Sequence, residues 1–256
     1  MDRITRCAAA AASVVTFSSF ASITHAVPPA ATADLIWYRF DEPAGSGTTQ
    51  NFAVPGVGFA NAPVNGHQLG GGVLTGVGGG SAVNFVDTGW DGATGTSSFS
   101  IYFEITNPAV GNGSTNYFFG NPSVAQRAFD DGVAGADGLL FRVAGGNGPN
   151  AFGSTTPGTS HEVAFVYDSS VGTAYAYLDG LLVDTVAGLS VNVTAGQFKV
   201  AGYSSNTFTA LEPGTTLNDF RVYGRALAAS ELIPEPASLS ALLAPALLAL
   251  RPRRRR

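Results

Sequence analysis

Residues 98–105, "SFSIYFEI", constrain the fold more than any other stretch of the chain. Phe99, Ile101, Phe103 and Ile105 alternate with Ser98, Ser100, Tyr102 and Glu104, so the four large apolar side chains share one face only if the backbone is extended. A helix would scatter them around its axis. The alternation therefore predicts a half-buried strand, with Ser100 and its polar companions toward solvent.

The same period recurs downstream. "HEVAFVYDSSVGTAYAYLDGLLVDT" predicts a three-stranded meander, with one turn over residues 168–172 and a two-residue hairpin turn at Asp179-Gly180. Further strands are expected at "LIWYRFD", "SAVNFV", "YFFG", "GLLFRVA", "FKVAGY" and "LNDFRVYG". No segment before residue 226 keeps helical periodicity for three turns, and "ALAASELI" suffices for one or two. The 33 glycines are nearly twice the usual share of about 7%. Together with 14 prolines they mark many turns. "VPGVGFANAPVNGHQLGGGVLTGVGGG" and "VAGGNGPNAFGSTTPGTS" read as long rim loops. Many short strands joined by such turns predict an all-β, antiparallel sandwich or jelly roll.

The two ends have a different character from the middle. Residues 1–26 carry Arg3 and Arg6 ahead of an apolar, small-residue run and end on Thr24 and Ala26, the pattern of a secretory signal cut by signal peptidase. Ala33 offers a second cut. Residues 27–233 form one domain with 6 Lys and Arg against 16 Asp and Glu, a net charge of −10 that argues against nucleic acid as a partner. Cys7, the sole cysteine, lies in the signal, so disulfides and thiolate chemistry are excluded from the mature chain.

Residues 234–256 run Pro234-Glu235-Pro236, an apolar stretch over 237–250, then Arg251, Arg253, Arg254, Arg255 and Arg256. The arginines would hold this end in the cytoplasm as a membrane stop. Fourteen residues span about 21 Å as a helix, short of a hydrocarbon core of about 30 Å, which suits a transient anchor. The order of these pieces resembles the PEP-CTERM sorting signal of Gram-negative bacteria. That resemblance implies export, brief residence in the inner membrane through a short apolar helix, and cleavage by an exosortase for release to the cell envelope or extracellular matrix.

"LIWYRFDE", "SFSIYFEI", the meander and "LNDFRVYGRALAASEL" occur in the order seen in laminin-G-like domains, and the chain resembles that concanavalin A-like jelly-roll family. The last string matches the family's closing motif at Asp219, Arg221, Tyr223, Arg225, Ala226, Leu227 and Glu231 and departs from it at Asn218 and Gly224. Some glycosidases of the same fold carry Glu-x-Asp-x-x-Glu on one strand; that string is absent here. Asp41-Glu42 are adjacent and would point to opposite faces, as strand-end residues do. His67 falls in a glycine loop. His161 opens a strand where the resembling domains keep a structural histidine. No nucleophile elbow, phosphate loop or dinucleotide fingerprint is present, so the chain is expected to be non-catalytic.

Two binding chemistries remain open. "FDDGVAGADG" offers Asp130, Asp131 and Asp137 for calcium, and "VDTGWDG" offers Asp87 and Asp91, because hard cations take carboxylate and carbonyl oxygens from irregular loops. For a sugar, Trp90 and Tyr117 lie beside loops where aromatic rings can stack, whereas Trp37 and most of the 17 phenylalanines fit the core. The expected protein is thus an exported surface or matrix component that binds polysaccharide or another surface protein. A structural matrix component without a ligand site, and a divergent glycan hydrolase or lyase, are the alternatives.

Overall fold

The chain is represented by a computed structural model that describes residues 29, 31–93, 97–106, 115–121, 126–130, 139–143, 146–150, 158–190, 196–203 and 209–232. The signal segment and the tail from Pro234 to Arg256 lie outside the described residues. Among those described, no helix is long and apolar enough to cross a membrane.

The strands are β1 (Ile36–Tyr38), β2 (Thr48–Gln50), β3 (Asn61–Asn65), β4 (Gln68–Gly70), β5 (Val73–Thr75), β6 (Phe85–Asp87), β7 (Phe99–Thr106), β8 (Asn116–Gly120), β9 (Gln126–Asp130), β10 (Leu139–Val143), β11 (Gly146–Asn150), β12 (Ser160–Asp168), β13 (Thr173–Leu178), β14 (Leu181–Val186), β15 (Lys199–Val200) and β16 (Thr216–Tyr223), followed by the single helical turn α1 (Ala229–Leu232). They make two sheets. The first runs β14-β13-β12-β7-β16-β5-β4, with β1 also paired to β16, and the second runs β11-β10-β9-β8-β15-β6-β3-β2. Neighbouring strands pair antiparallel, as the alternation and turn chemistry require.

Phe99, Ile101, Phe103 and Ile105 all enter the core between the sheets. Phe103 sits at its centre, its ring centroid 6.1 Å from Phe118 and Phe119, 6.4 Å from Phe165 and 6.0 Å from Phe220. The meander forms as expected: Asp179 and Gly180 take φ of 50° and 77°, the left-handed values that a two-residue turn between twisted strands needs.

The outer face of β7 differs from expectation. Ser100 is fully buried and Tyr102 is 3% exposed, because residues 225–232 and the segment near residue 31 fold over the first sheet. Ser100 Oγ donates to Arg225 O (2.9 Å) and accepts from Leu227 N (2.8 Å), fastening that cover. The first rim loop is also more ordered than expected. It contains β3, β4 and β5, each holding one buried residue, Ala62, Leu69 or Leu74, between glycine-rich turns. Part of the second loop is β11, whose Gly-Asn-Gly-Pro-Asn sequence has no alternation to announce it.

Candidate functional site

The closing motif of the sequence builds a lattice on the outer side of the first sheet. Regular alternation would place Asn218 and Asp219 on opposite faces, but the register slips between Asn218 and Arg221, and Asp219 adopts φ 49°. This bulge brings both side chains to the outer face. Asp219 then takes the Arg221 guanidinium in a two-point contact and accepts the Trp37 indole N–H at 2.7 Å. Arg221 stacks 4.5 Å from the Trp37 ring and donates to Pro29 O at 2.7 Å. Tyr223 Oη donates to Ala31 O, and Arg225 makes a two-point pair with Glu231 at 2.8 and 2.6 Å. The matched residues therefore tie the first strand and the start of the domain to the last strand, a structural role.

Beside this lattice lies an open groove of about 620 Å³ lined by Trp37, Arg39, Asp41, Gly72, Glu104, Asn218, Asp219 and Arg221. Gly72 closes the β4–β5 turn at φ 81° and presents bare backbone to the groove. Glu104 accepts from Asn218 Nδ2 at 3.0 Å, and Arg39 pairs with Asp41 at 3.3 Å. The result is one aromatic edge amid planar amide, carboxylate and guanidinium groups, held by their own contacts before any ligand arrives. Such a surface suits a polyhydroxyl ligand, whose hydroxyls both donate and accept.

Glu104 stands directly opposite Glu162 on β12. Burial pushes the Glu162 carboxyl up to about 7, with repulsion from Glu104 and Asp179 adding to the rise. Glu162 shares that outer face and lines a separate recess of about 10 Å³ with Tyr102, Tyr177 and Leu232. Glu42 accepts from Thr49 Oγ1 and Gln50 N, the turn-holding role expected of a strand-end acid.

The two aromatics read as sugar platforms are buried instead. Trp90 is 4% exposed, its ring centroid 5.1 Å from that of Phe198 within the core, though it lines a shallow recess of about 350 Å³ with Val57, Gly58, Gly89 and Asp91. Tyr117 is 2% exposed and stacks 4.6 Å from Tyr203, so its ring face is already taken. The reason is the same in both: each side chain is needed to fill a sheet face under loops that the sequence placed merely nearby. Trp37, assigned to the core by sequence, is the aromatic that borders the groove. The break in alternation at "LNDF" was the signal that could have found it.

Asp130 ends β9, and Asp131 and Asp137 lie outside the described residues. Asp87 and Asp91 cap turns through Gly89 N (3.1 Å) and Ala93 N (2.9 Å). Among the described residues no group of three or more metal-ligating side chains forms. His161 bridges Thr159 Oγ1 and Asp179 Oδ2. His67 is buried with Nε2 donating to Ala201 O at 2.8 Å, and burial holds its pKa below the ordinary value. His161, by contrast, lies at the surface between a hydroxyl and a carboxylate.

The sandwich is shared with solved structures of low sequence similarity. A chain named HCR/D-Sa-GBL1/C superposes with TM-score 0.56 at 14% identity, covering 78% of this chain and 50% of that one. A botulinum neurotoxin type C structure, a toxin whose cell entry depends on interaction with two ganglioside molecules, gives 0.52 at 15% with the same coverage. A Trypanosoma rangeli sialidase gives 0.50 at 12%, covering 77% of this chain and 31% of that one. The chain thus spans half or less of these structures, and identities this low establish shared fold alone. No curated protein matches the sequence. Residues 77–233, more than half the chain and the part that ends with the Asp219–Arg221 lattice, match the Laminin_G_3 family, and the protein accordingly belongs to that branch of the concanavalin A-like lectin/glucanases superfamily.

Proposed function

We propose that the protein is an exported, non-catalytic carbohydrate-binding component of the bacterial cell envelope or extracellular matrix. The groove beside Trp37 carries the reading. Its polar groups are pre-ordered by the Asp219–Arg221 and Glu104–Asn218 contacts, so little side-chain freedom is lost when a saccharide docks. The family's lectin members and the ganglioside-dependent toxin share the sandwich. Export rests on the signal at residues 1–26, and sorting by an exosortase on Pro234-Glu235-Pro236 with the arginine cluster.

A hydrolase is the second reading, because Glu104 and Glu162 are close-set acids and one has a pKa near 7, suited to a general acid. Glu162 lines a recess of about 10 Å³, too small for a sugar, and not the groove itself, which favours binding. A glycan array probed with the full-length protein tests the proposal. Binding to neutral glycans that Asn218→Ala weakens supports it, and an array with no hits refutes it. Release of reducing sugar from a bound glycan, lost in Glu162→Gln, would establish the hydrolase instead.

A further inference from the structure

The groove beside Trp37 is not balanced in charge. Two guanidiniums and three carboxylates line it. Arg39 pairs with Asp41 at 3.3 Å and lies 5.0 Å from the Phe52 ring, and Arg221 is closed off by its two-point contact with Asp219 and its bond to Pro29 O. The third acid is Glu104, whose carboxylate meets the neutral Asn218 amide rather than a cation. Its strand neighbours Phe103 and Ile105 are buried in the core, whereas Glu104 is half-buried on the outer face and open to a ligand.

The strand register sharpens this imbalance. Glu104 stands opposite Asn218 on β16 and opposite Glu162 on β12. Two acids directly opposite each other destabilise a sheet when both are charged. The free protein relieves the repulsion by keeping a proton on Glu162: burial first, then Glu104, Asp179 and Asp219, push that carboxyl up to about 7, with the nearby Tyr102 hydroxyl favouring the charged form. A cation held on Glu104 relieves the same repulsion from the other side.

The groove suits one kind of cation. A metal ion takes several oxygen ligands at once, and among the described residues no group of three or more metal-ligating side chains forms. An ammonium asks for less, since it carries three N–H donors and can share them among one carboxylate, one amide oxygen and water. Asn218, having given its N–H to Glu104, keeps its amide oxygen for such a donor. On a sugar the ammonium is fixed to a ring whose hydroxyls suit the polar groups beside Trp37.

We propose that the groove selects amino sugars, binding a hexosamine residue of a glycan with its free ammonium on Glu104 and its ring beside Trp37. This inference rests on the reading of the groove as a saccharide site and adds the class of saccharide it prefers. A flexible lysine peptide offers the same charge without the ring, and serves as the competing ligand in the test.

The test is isothermal titration calorimetry of the full-length protein with a glucosamine oligosaccharide and with its fully N-acetylated, neutral counterpart, at a pH where the free amines are protonated. The amino form binds about tenfold more tightly, the advantage of one charge-assisted contact, and the advantage shrinks as salt rises. Glu104→Gln lowers it to about twofold or less. Asp184→Asn, which removes an acid from β14 at the far edge of the same sheet, retains it, and so separates the groove from the general attraction of a domain with 16 acids and 6 lysines and arginines. If Glu104→Gln lacks the wild-type near-UV circular dichroism, the Trp37 indole N–H signal of the wild type decides: the amino form shifts it to saturation at lower concentration than the N-acetylated form, and equal midpoints or an unmoved signal overturn the inference. Equal calorimetric affinity for the two oligosaccharides, an advantage that Asp184→Asn removes as fully as Glu104→Gln, or tighter binding of tetralysine than of the amino form also overturns it. Equal affinity leaves the groove a site for neutral glycans, whereas binding of no glycan at all removes the reading on which the inference rests.

Discussion

Replacing Ser100 with alanine is expected to cost far more than a serine in a strand's polar row suggests. The hydroxyl links β7 to the covering segment, since it donates to Arg225 O and accepts from Leu227 N at a residue with no solvent exposure. Alanine leaves the part-buried Arg225 carbonyl and the buried Leu227 N–H without this partner, and with about 1–3 kcal/mol for the buried N–H and less for the carbonyl, which water can reach, the loss comes to about 1–4 kcal/mol. For a domain of this size that lowers Tm by roughly 2–16 °C. Ser98→Ala is the internal control: Ser98 lies two residues earlier in the same row, and its hydroxyl meets Ser169 in an exposed contact. Urea unfolding followed by tryptophan fluorescence gives both values. A Ser100→Ala loss below about 0.5 kcal/mol, or one equal to that of Ser98→Ala, would show that the segment over β7 is not fastened there.

Phe103→Ala should cost about 3–5 kcal/mol in the same assay, because the ring contacts four other phenylalanines from both sheets and no neighbour can fill the space. Glu162 should make stability fall as pH rises. Its carboxyl binds a proton up to about pH 7 in the fold but only to about 4.5 when unfolded, so the native state holds more protons between those values. The decline across pH 4.5–7 should be about 1–2 kcal/mol after screening at a half-buried site. It should vanish in Glu162→Gln, and a wild-type profile identical to the variant's would remove the effect. Mass spectrometry of protein from its native host should find a mature chain without residues 1–26 and without the arginine cluster; a mature species that retains Arg251 to Arg256 rules out sorting through the tail.

What the sequence made legible was governed by local periodicity. The facing of Phe99, Ile101, Phe103 and Ile105 follows from alternation alone, and the Asp179-Gly180 turn from the φ values it demands. The burial of Ser100 could not be read, because its partners are 125 and 127 residues away and only the tertiary fold brings them over β7. Strands β3, β4 and β5 were hidden because three to five residues with one buried side chain give too short a pattern among glycines. For the site, proximity to loops in sequence was a poor guide: Trp90 and Tyr117 flank turns and are buried, whereas Trp37 sits mid-strand beside the groove.

The most direct test of the groove uses the two tryptophans of the chain as reporters. The Trp37 indole N–H is bonded to Asp219 at the edge of the groove, and that of Trp90 is enclosed in the core. A proton–nitrogen correlation spectrum shows one indole signal for each, assigned by replacing either residue with phenylalanine. Titration with a neutral glycan identified on the array should shift the Trp37 signal in a saturable way and leave the Trp90 signal in place. Saturable movement of the Trp90 signal with Trp37 unmoved would put the saccharide at the recess beside Gly58 and Gly89 and contradict the assignment of the groove.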